Sequence, residues 1–460
     1  MSPAIILVHS SLLFDPKKLE FLRDVTIAVN SRDGSIEDVY PRRGDSIPEI
    51  SDHDIDLRGK VVMPGFVDSH THIFLHDYSE RTGAEQMRDE SPVERVVRAT
   101  NHARAALLAG YTTYRDLGTE SLGSADANLR DCINRGLIPG PRMFVATEAL
   151  ASSGSYEIRR ENRAGGLLVP RASDPCDGVD GVRAAVRRRV GDGANIIKFY
   201  ADSRRKLMQF PPSKQPDDIL FPPPANRRNP AVPCFSQEEM DSIVREANAA
   251  ELPVAAHAGE TKAALMAARA GVTSVEHVLE DTCGHWDELF AALKRQRCVW
   301  VPTLAVMERE APNETFQAQM LAVKRAYDEG VRLAAGGDTG AFAHGHNVRE
   351  MELMVEAGIP VERVLEACTV GGWDACGRDR CGFRFGWFEK GTRADIIALE
   401  TDPRADRHAL RKVSFVMKDG RVWKQNGEAV NMICNTEWPQ DPVPEEWKPE
   451  EGYGFLGEGY

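Results

Sequence analysis

No run in this chain approaches the roughly 20 consecutive apolar residues needed to span a bilayer. Basic charge is not in excess either, because 57 Lys and Arg stand against 70 Asp and Glu, a net charge of −13. That balance opposes condensation on phosphate backbones or anionic lipid, so neither nucleic acid nor a membrane surface is expected as a partner. Cysteine is sparse, nine residues in 460, an odd number without the regular spacing of a disulfide framework. Cys376 and Cys381 flank Gly-Arg-Asp-Arg too widely for a zinc knuckle and read as free thiols. The amino terminus has no basic n-region, and the apolar run after Ser2-Pro3 is short and strand-like, unlike a secretory signal. The expectation is a cytoplasmic protein with reduced thiols.

What the chain does contain is alternation. Short β-branched and apolar runs at 60–67, 111–117, 142–147, 195–200, 253–258, 273–278, 298–304 and 331–335 are candidate strands. Between them, 93–109, 181–190, 237–250, 262–269 and 316–329 carry apolar residues at three- and four-residue spacing, as helices do. Eight strand-helix repeats in series predict an α/β fold, a closed (β/α)₈ TIM barrel of residues 60–385. The ends break the pattern with hairpin-like runs at 4–8 and 25–29, and again at 394–399 and 413–418 before an Asp419-Gly420 turn. Residues 1–59 and 386–430 are therefore expected to form one small β-sandwich, followed by a 431–460 tail. The Pro-rich stretch 206–233 reads as a long loop after the fourth strand.

The sharpest local signal is Pro64-Gly65-Phe66-Val67-Asp68-Ser69-His70-Thr71-His72, an apolar strand running into two histidines one residue apart. Alternate strand residues point the same way, so both imidazoles can reach one cation. Lys198, His257, His277 and Asp338 also stand at or just past the ends of candidate strands, on the rim where barrel enzymes gather catalytic groups. Each alone could be a satisfied core polar group, which for a lone histidine is the commoner case. Six such residues on strands one, four, five, six and eight are hard to treat as independent accidents. A lysine inside an apolar strand must be paired or lose its charge. Its neutral amine can take up carbon dioxide and become an anionic carbamate, N6-carboxylysine, able to bridge two divalent cations. Asp338 is then placed to take a proton from water and pass it to a leaving group.

These motifs, with Ala109-Gly110-Tyr111-Thr112-Thr113, Ile197-Lys198-Phe199-Tyr200-Ala201-Asp202, Gly271-Val272-Thr273-Ser274-Val275-Glu276-His277, Val301-Pro302-Thr303-Leu304, Gly336-Gly337-Asp338-Thr339-Gly340 and Gly391-Thr392-Arg393-Ala394-Asp395, resemble the amidohydrolase superfamily. The branch is that of imidazolonepropionase-like proteins, Xaa-Pro dipeptidases and ochratoxinase, and the resemblance runs from about residue 55 to 420. It implies that His70, His72 and Asp338 hold the more buried of two divalent metal ions, zinc by preference, that His257 and His277 hold the other, and that carboxylated Lys198 bridges them. It also implies a small-molecule amide or dipeptide substrate, an amino acid product with a free carboxylate, and assembly into homo-oligomers. Tyr200 and His344 are the candidates for substrate contact.

Three other readings compete. His257-Ala258-Gly259-Glu260 is similar to the segment of adenosine deaminases in which a glutamate moves protons beside a single zinc, but such enzymes lack a bridging lysine. Hydrolysis of a lactone or cyclic amide lies close in chemistry and separates poorly by sequence. A scaffold that has lost its site would lack several ligands, and here all six are present. The spacing of His76, near the mouth, does not separate a ligand from a loop residue; Arg187-Arg188-Arg189 at a helix end reads as a solvated face, and His102 is expected on a helix facing away.

Overall fold

The computed structural model describes residues 5–42, 50–51, 53–155, 171–204, 220–221, 227–228, 231–281 and 284–432. Most of the Pro-rich loop expected at 206–233, and the tail beyond residue 432, lie outside them.

The two chain ends meet in a nine-stranded sheet. Ile5–Asp15 and Glu20–Asn30 form a long antiparallel hairpin that Ser35–Pro41 extends. On its other side follow Val61–Pro64, Ile396–Leu399, Val413–Lys418 and Arg421–Gln425. By its hydrogen bonds the expected sandwich is thus one continuous sheet. Its halves still share an apolar core, with Val8, Ile27 and Val29 from the first and Val62, Ile396 and Phe415 from the second. Asp419 and Gly420 both take positive φ, 50° and 73°, as a tight two-residue hairpin requires.

The strand expected over 60–67 is in fact two. Val61–Pro64 pairs with Ile396–Leu399 in the chain-end sheet, whereas Phe66–Thr71 pairs in parallel with Tyr111–Asp116. Gly65 separates them. A Cβ there would lie 2.2 Å from Thr112 Oγ1, so the chain can cross between sheets only where no side chain stands.

The parallel strands fall into two hydrogen-bonded groups. Phe66–Thr71, Tyr111–Asp116 and Arg142–Val145 make one; Ala149–Ala151, Ile197–Tyr200, Val254–Glu260, Ser274–Glu280 and Val299–Val301 make the other, with Ser173–Pro175 at its edge. Backbone bonds bridge the gaps between them: Asn195 N and Ile196 N donate to Val145 O (2.8 and 3.3 Å) on one side, and on the other residues 331–335 stand between, with Trp300 N donating to Arg332 O (2.8 Å) and Ser69 N to Ala335 O (2.9 Å). Residues 331–335 make an isolated parallel bridge, Leu333 to Trp300, where a regular eighth strand was expected. The strand expected over 298–304 stops at Val301, because Pro302 cannot donate to a ladder, and the helix Leu304–Glu310 starts two residues later.

The helices follow the apolar spacing closely: Pro92–Leu108, Gly178–Gly191, Gln237–Ala249, Thr261–Ala270 and Asn313–Asp328. Local chemistry sets their ends. Ser236 and Glu239 form a reciprocal capping box, and Gly271 at φ 90° stops the next helix. Ala263, Ala264, Ala267 and Ala268 are fully buried, so this helix lies close against the strands it follows. Among the described residues, no helix is long and apolar enough to cross a membrane.

Candidate metal centre

At the carboxyl ends of the parallel strands lies a cavity of about 720 Å³ whose lining includes His70, His72, Lys198, Tyr200, His257, His277 and Asp338. Strand geometry delivers these groups. His70 sits within Phe66–Thr71 and His72 just beyond it; Lys198 and Tyr200 share one strand, two residues apart and therefore on one face. His277 and Asp338 reach the cavity through left-handed backbone, φ 70° and 62°. Thr303 and Glu120, also beside the site, take φ 52° and 48°. For residues with a Cβ such conformations carry strain, and they gather here because the site requires side chains that an extended strand would aim elsewhere.

The donor atoms converge. Asp338 Oδ1 lies 3.5 Å from His70 Nε2 and 3.3 Å from His72 Nε2, and one ligand atom from each of the three fits within 4.8 Å of the others. Ring contacts extend the set, with centroids 4.8 Å apart for His70 and His277 and 4.7 Å for His257 and His277. The opposite ring nitrogens are engaged. His70 Nδ1 donates to Glu276 Oε2 (3.0 Å) and His72 Nδ1 to Gly118 O (3.0 Å), while His277 Nδ1 lies 2.8 Å from Thr303 Oγ1. Such partners select the tautomer and leave Nε2 of His70 and His72 facing the cavity.

Electrostatics favours cation binding. Burial opposes charge on Asp338, yet His70 and His72 beside it hold its carboxyl well below the usual carboxylate range. Burial, aided by Lys198, pushes His70 well below its ordinary value, and burial brings His277 down to about 4. His72 goes the other way: burial resists its charge, but Asp338 and Glu120 raise it to about 9. A cation bound by Asp338 takes over that positive charge, so binding releases a proton. Burial lowers Lys198 to about 8, and no hydrogen bond or ion pair ties its amine to another described residue. Two neutral imidazoles and a carboxylate are a donor set suited to a divalent first-row ion, and such an ion can be held here.

The remaining candidates divide. Tyr200 lines the cavity, its ring against His257 at 5.1 Å and its hydroxyl donating to Glu120 (3.4 Å). His344 does not line it. Its ring stacks on His102 at 4.4 Å, with Nε2 near Leu75 O (3.2 Å) and Nδ1 near Tyr114 OH (3.4 Å), and only 8% of the residue is exposed. His102, expected to face away, donates to Ile73 O (2.9 Å) directly beyond the His pair. His76 is buried against Glu90 (2.7 Å). Glu260, the residue of the deaminase comparison, is buried and absent from the cavity wall.

Sequence reading missed the groups that hold the histidines in place. Arg115 is fully buried and donates to both Glu276 oxygens (2.8 Å each), to Ser274 Oγ (2.6 Å) and to Ala375 O (3.1 Å). Asp202 accepts from Gly259 N and Glu260 N, 2.9 Å each, fixing the irregular end of the strand just after His257. The signal was available: Arg115-Asp116 within an apolar strand is as anomalous as Lys198. Glu276→Gln removes the anion that balances Arg115 and orients His70. It should weaken cation affinity by about 10- to 100-fold and lower the melting temperature, read by chelator competition and calorimetry. Unchanged affinity would show that His70 needs no such partner.

A model of the amidohydrolase family matches residues 61–424. Ochratoxinase from Aspergillus niger is 30% identical over 405 residues, covering 80% of this chain and 77% of that protein. Imidazolonepropionase from Clostridium tetani is 23% identical over 409 residues, covering 85% and 87%. Among solved structures, a Xaa-Pro dipeptidase with methionine bound in its active site superposes with a TM-score of 0.72 at 26% identity, covering 91% of this chain and all of that one. The family match spans the whole run of strands that carries the histidines, Lys198 and Asp338, and on that ground the chain belongs to the amidohydrolase family.

Proposed function

We propose that this enzyme hydrolyses a peptide-like amide bond using two divalent cations, zinc by preference, set in a closed (β/α)₈ barrel, and releases an amino acid with a free carboxylate. The observation that carries the reading is the meeting, in one cavity, of four imidazoles, a depressed carboxylate and a buried lysine that no described residue pairs. His70, His72 and Asp338 would hold the inner cation and His257 and His277 the outer one. Lys198, neutral once its proton is shed, would react with carbon dioxide and bridge them as N6-carboxylysine. The family match and the likeness to ochratoxinase and a Xaa-Pro dipeptidase support amide C–N cleavage.

When bound, such a cation pair lowers the pKa of water and polarises a carbonyl oxygen. The chain's own residues do the rest. Asp338 accepts the proton of the attacking water and delivers it to the leaving nitrogen as the C–N bond breaks. Glu276, Gly118 O and Thr303 keep the imidazoles turned toward the cavity. Tyr200, braced against His257 and bonded to Glu120, stands where a substrate must lie. The deaminase alternative has less support, because Glu260 does not reach the cavity.

Elemental mass spectrometry of the purified protein should find about two ions per chain, and a panel of N-acyl amino acids and Xaa-Pro dipeptides should be hydrolysed. Chelation should abolish turnover and added zinc restore it. Turnover that survives complete removal of metal, or no cleavage of any amide in the panel, would overturn the reading.

A further inference from the structure

Leu304–Glu310 follows the strand Val299–Val301, and its last turn places Arg309 in the wall of the same cavity as Lys198 and Asp338. Arg309 NH1 and NH2 donate to Asp77 Oδ2 and Oδ1 at 2.9 and 2.8 Å. Asp77 is itself fixed, since its Oδ1 accepts from Ser79 N (2.8 Å) and Ser79 Oγ (2.7 Å). Burial works against its charge, but Arg309 and Ser79 bring its carboxyl down to about 2. The guanidinium is therefore held in one plane by a carboxylate that stays ionised.

A guanidinium has five N–H donors in a rigid fork. Asp77 takes the end formed by the two terminal nitrogens. The side edge, Nε–H with the second hydrogen of a terminal nitrogen, makes no hydrogen bond to any other described residue. That edge matches a second carboxylate in bidentate geometry. Lys198, the other long cation on the wall, is buried on the same wall as the histidines, and the proposed function reserves it for the cations. Glu310 also lines the wall but is exposed, where water screens its repulsion. The neighbouring wall residues Leu75, Tyr78, Met87, Leu279 and Met307 offer an apolar surface to whatever side chain accompanies the carboxylate.

We infer that Arg309 receives the terminal carboxylate of the substrate, making the enzyme selective for amides of amino acids whose carboxylate is free over those in which it is capped. The inference rests on the amide-hydrolase reading. Arg309 is a specificity residue in this role, and Asp77 positions it.

The test uses the full-length, metal-loaded protein with N-acetyl-L-phenylalanine and its N-methylamide, following acetate release. Arg309→Met should raise KM for the free acid by about 10- to 100-fold, the weight of a charge-assisted bidentate pair. It should leave kcat, cation content and kcat/KM for the N-methylamide unchanged, while Arg309→Lys should retain part of the preference. Equal losses on both substrates would make Arg309 a tether between two loops and overturn the inference, as would no loss on either. Should the wild type cleave neither compound, the amide-hydrolase reading fails for this class, and calorimetric binding then decides the role of Arg309. Binding of N-acetyl-L-phenylalanine that Arg309→Met abolishes sustains it; absent or undiminished binding ends it.

Discussion

Asp338→Asn should lower kcat by about 10³-fold, within the range that a positioned proton carrier contributes, with little change in KM. The substitution is chosen because residue 338 sits at φ 62°, a conformation asparagine accepts as readily as aspartate. The amide keeps an oxygen facing His70 and His72, which lie 3.5 and 3.3 Å from Oδ1 in the native chain. What it loses is the ability to take up and return a proton at that atom, and the charge that draws His72 up to about 9. Steady-state kinetics beside elemental analysis separates the two losses. A collapse of turnover with most of the cation retained supports proton transfer by Asp338. Turnover within about tenfold of wild type would remove Asp338 from the chemistry, and parallel loss of cation and activity would make it a ligand alone.

Lys198→Ala should reduce the cation content from about two per chain to about one and abolish measurable turnover. The reasoning is electrostatic. Lys198 is 2% exposed, and burial already brings its amine down to about 8, so near neutral pH the nucleophilic, carbon dioxide-reactive form is a minor but far larger fraction than for an exposed lysine. As a free ammonium the group would repel cations held by His70 and His277; as a carbamate it would attract them. A second arm isolates the modification from the side chain. Wild-type protein stripped with chelator and dialysed free of bicarbonate should regain full activity only when zinc and bicarbonate return together. Full recovery with zinc alone, or two ions in Lys198→Ala, would exclude the bridging role.

Much of the architecture could be read from residue order. The helical segments matched their apolar spacing to within a few residues at most ends, because a three- to four-residue repeat and a capping side chain are local properties. The strands were less legible where neighbours decide the outcome. The apolar run 60–67 reads as one strand, and only the proximity of Thr112 to Gly65 explains why it divides between two sheets. The chain ends announced their hairpins and their meeting but not that they form a single sheet, since the register between Val61–Pro64 and Ile396–Leu399, about 335 residues apart, leaves no local trace.

The site divides along the same line. Six chemically anomalous residues stood out because histidine, lysine and aspartate at the ends of apolar runs conflict with their surroundings. The structure brings all six to one cavity. His344, a substrate-contact candidate through the family resemblance, is instead packed on His102, so a resemblance in motif picks out a residue without saying what it faces. Arg115, Glu276, Thr303, Asp77 and Arg309 act through partners far along the chain: Arg115 and Glu276 are 161 positions apart, and Arg309 and Asp77 are 232. Sequence alone determined which residue types were available for cation chemistry and on which strands they lie, because periodicity and burial are encoded locally. Which nitrogen of each histidine faces the cavity, and which edge of Arg309 is left to meet a substrate, was decided only by tertiary packing, because a hydrogen bond's direction depends on where its partner ends up in space.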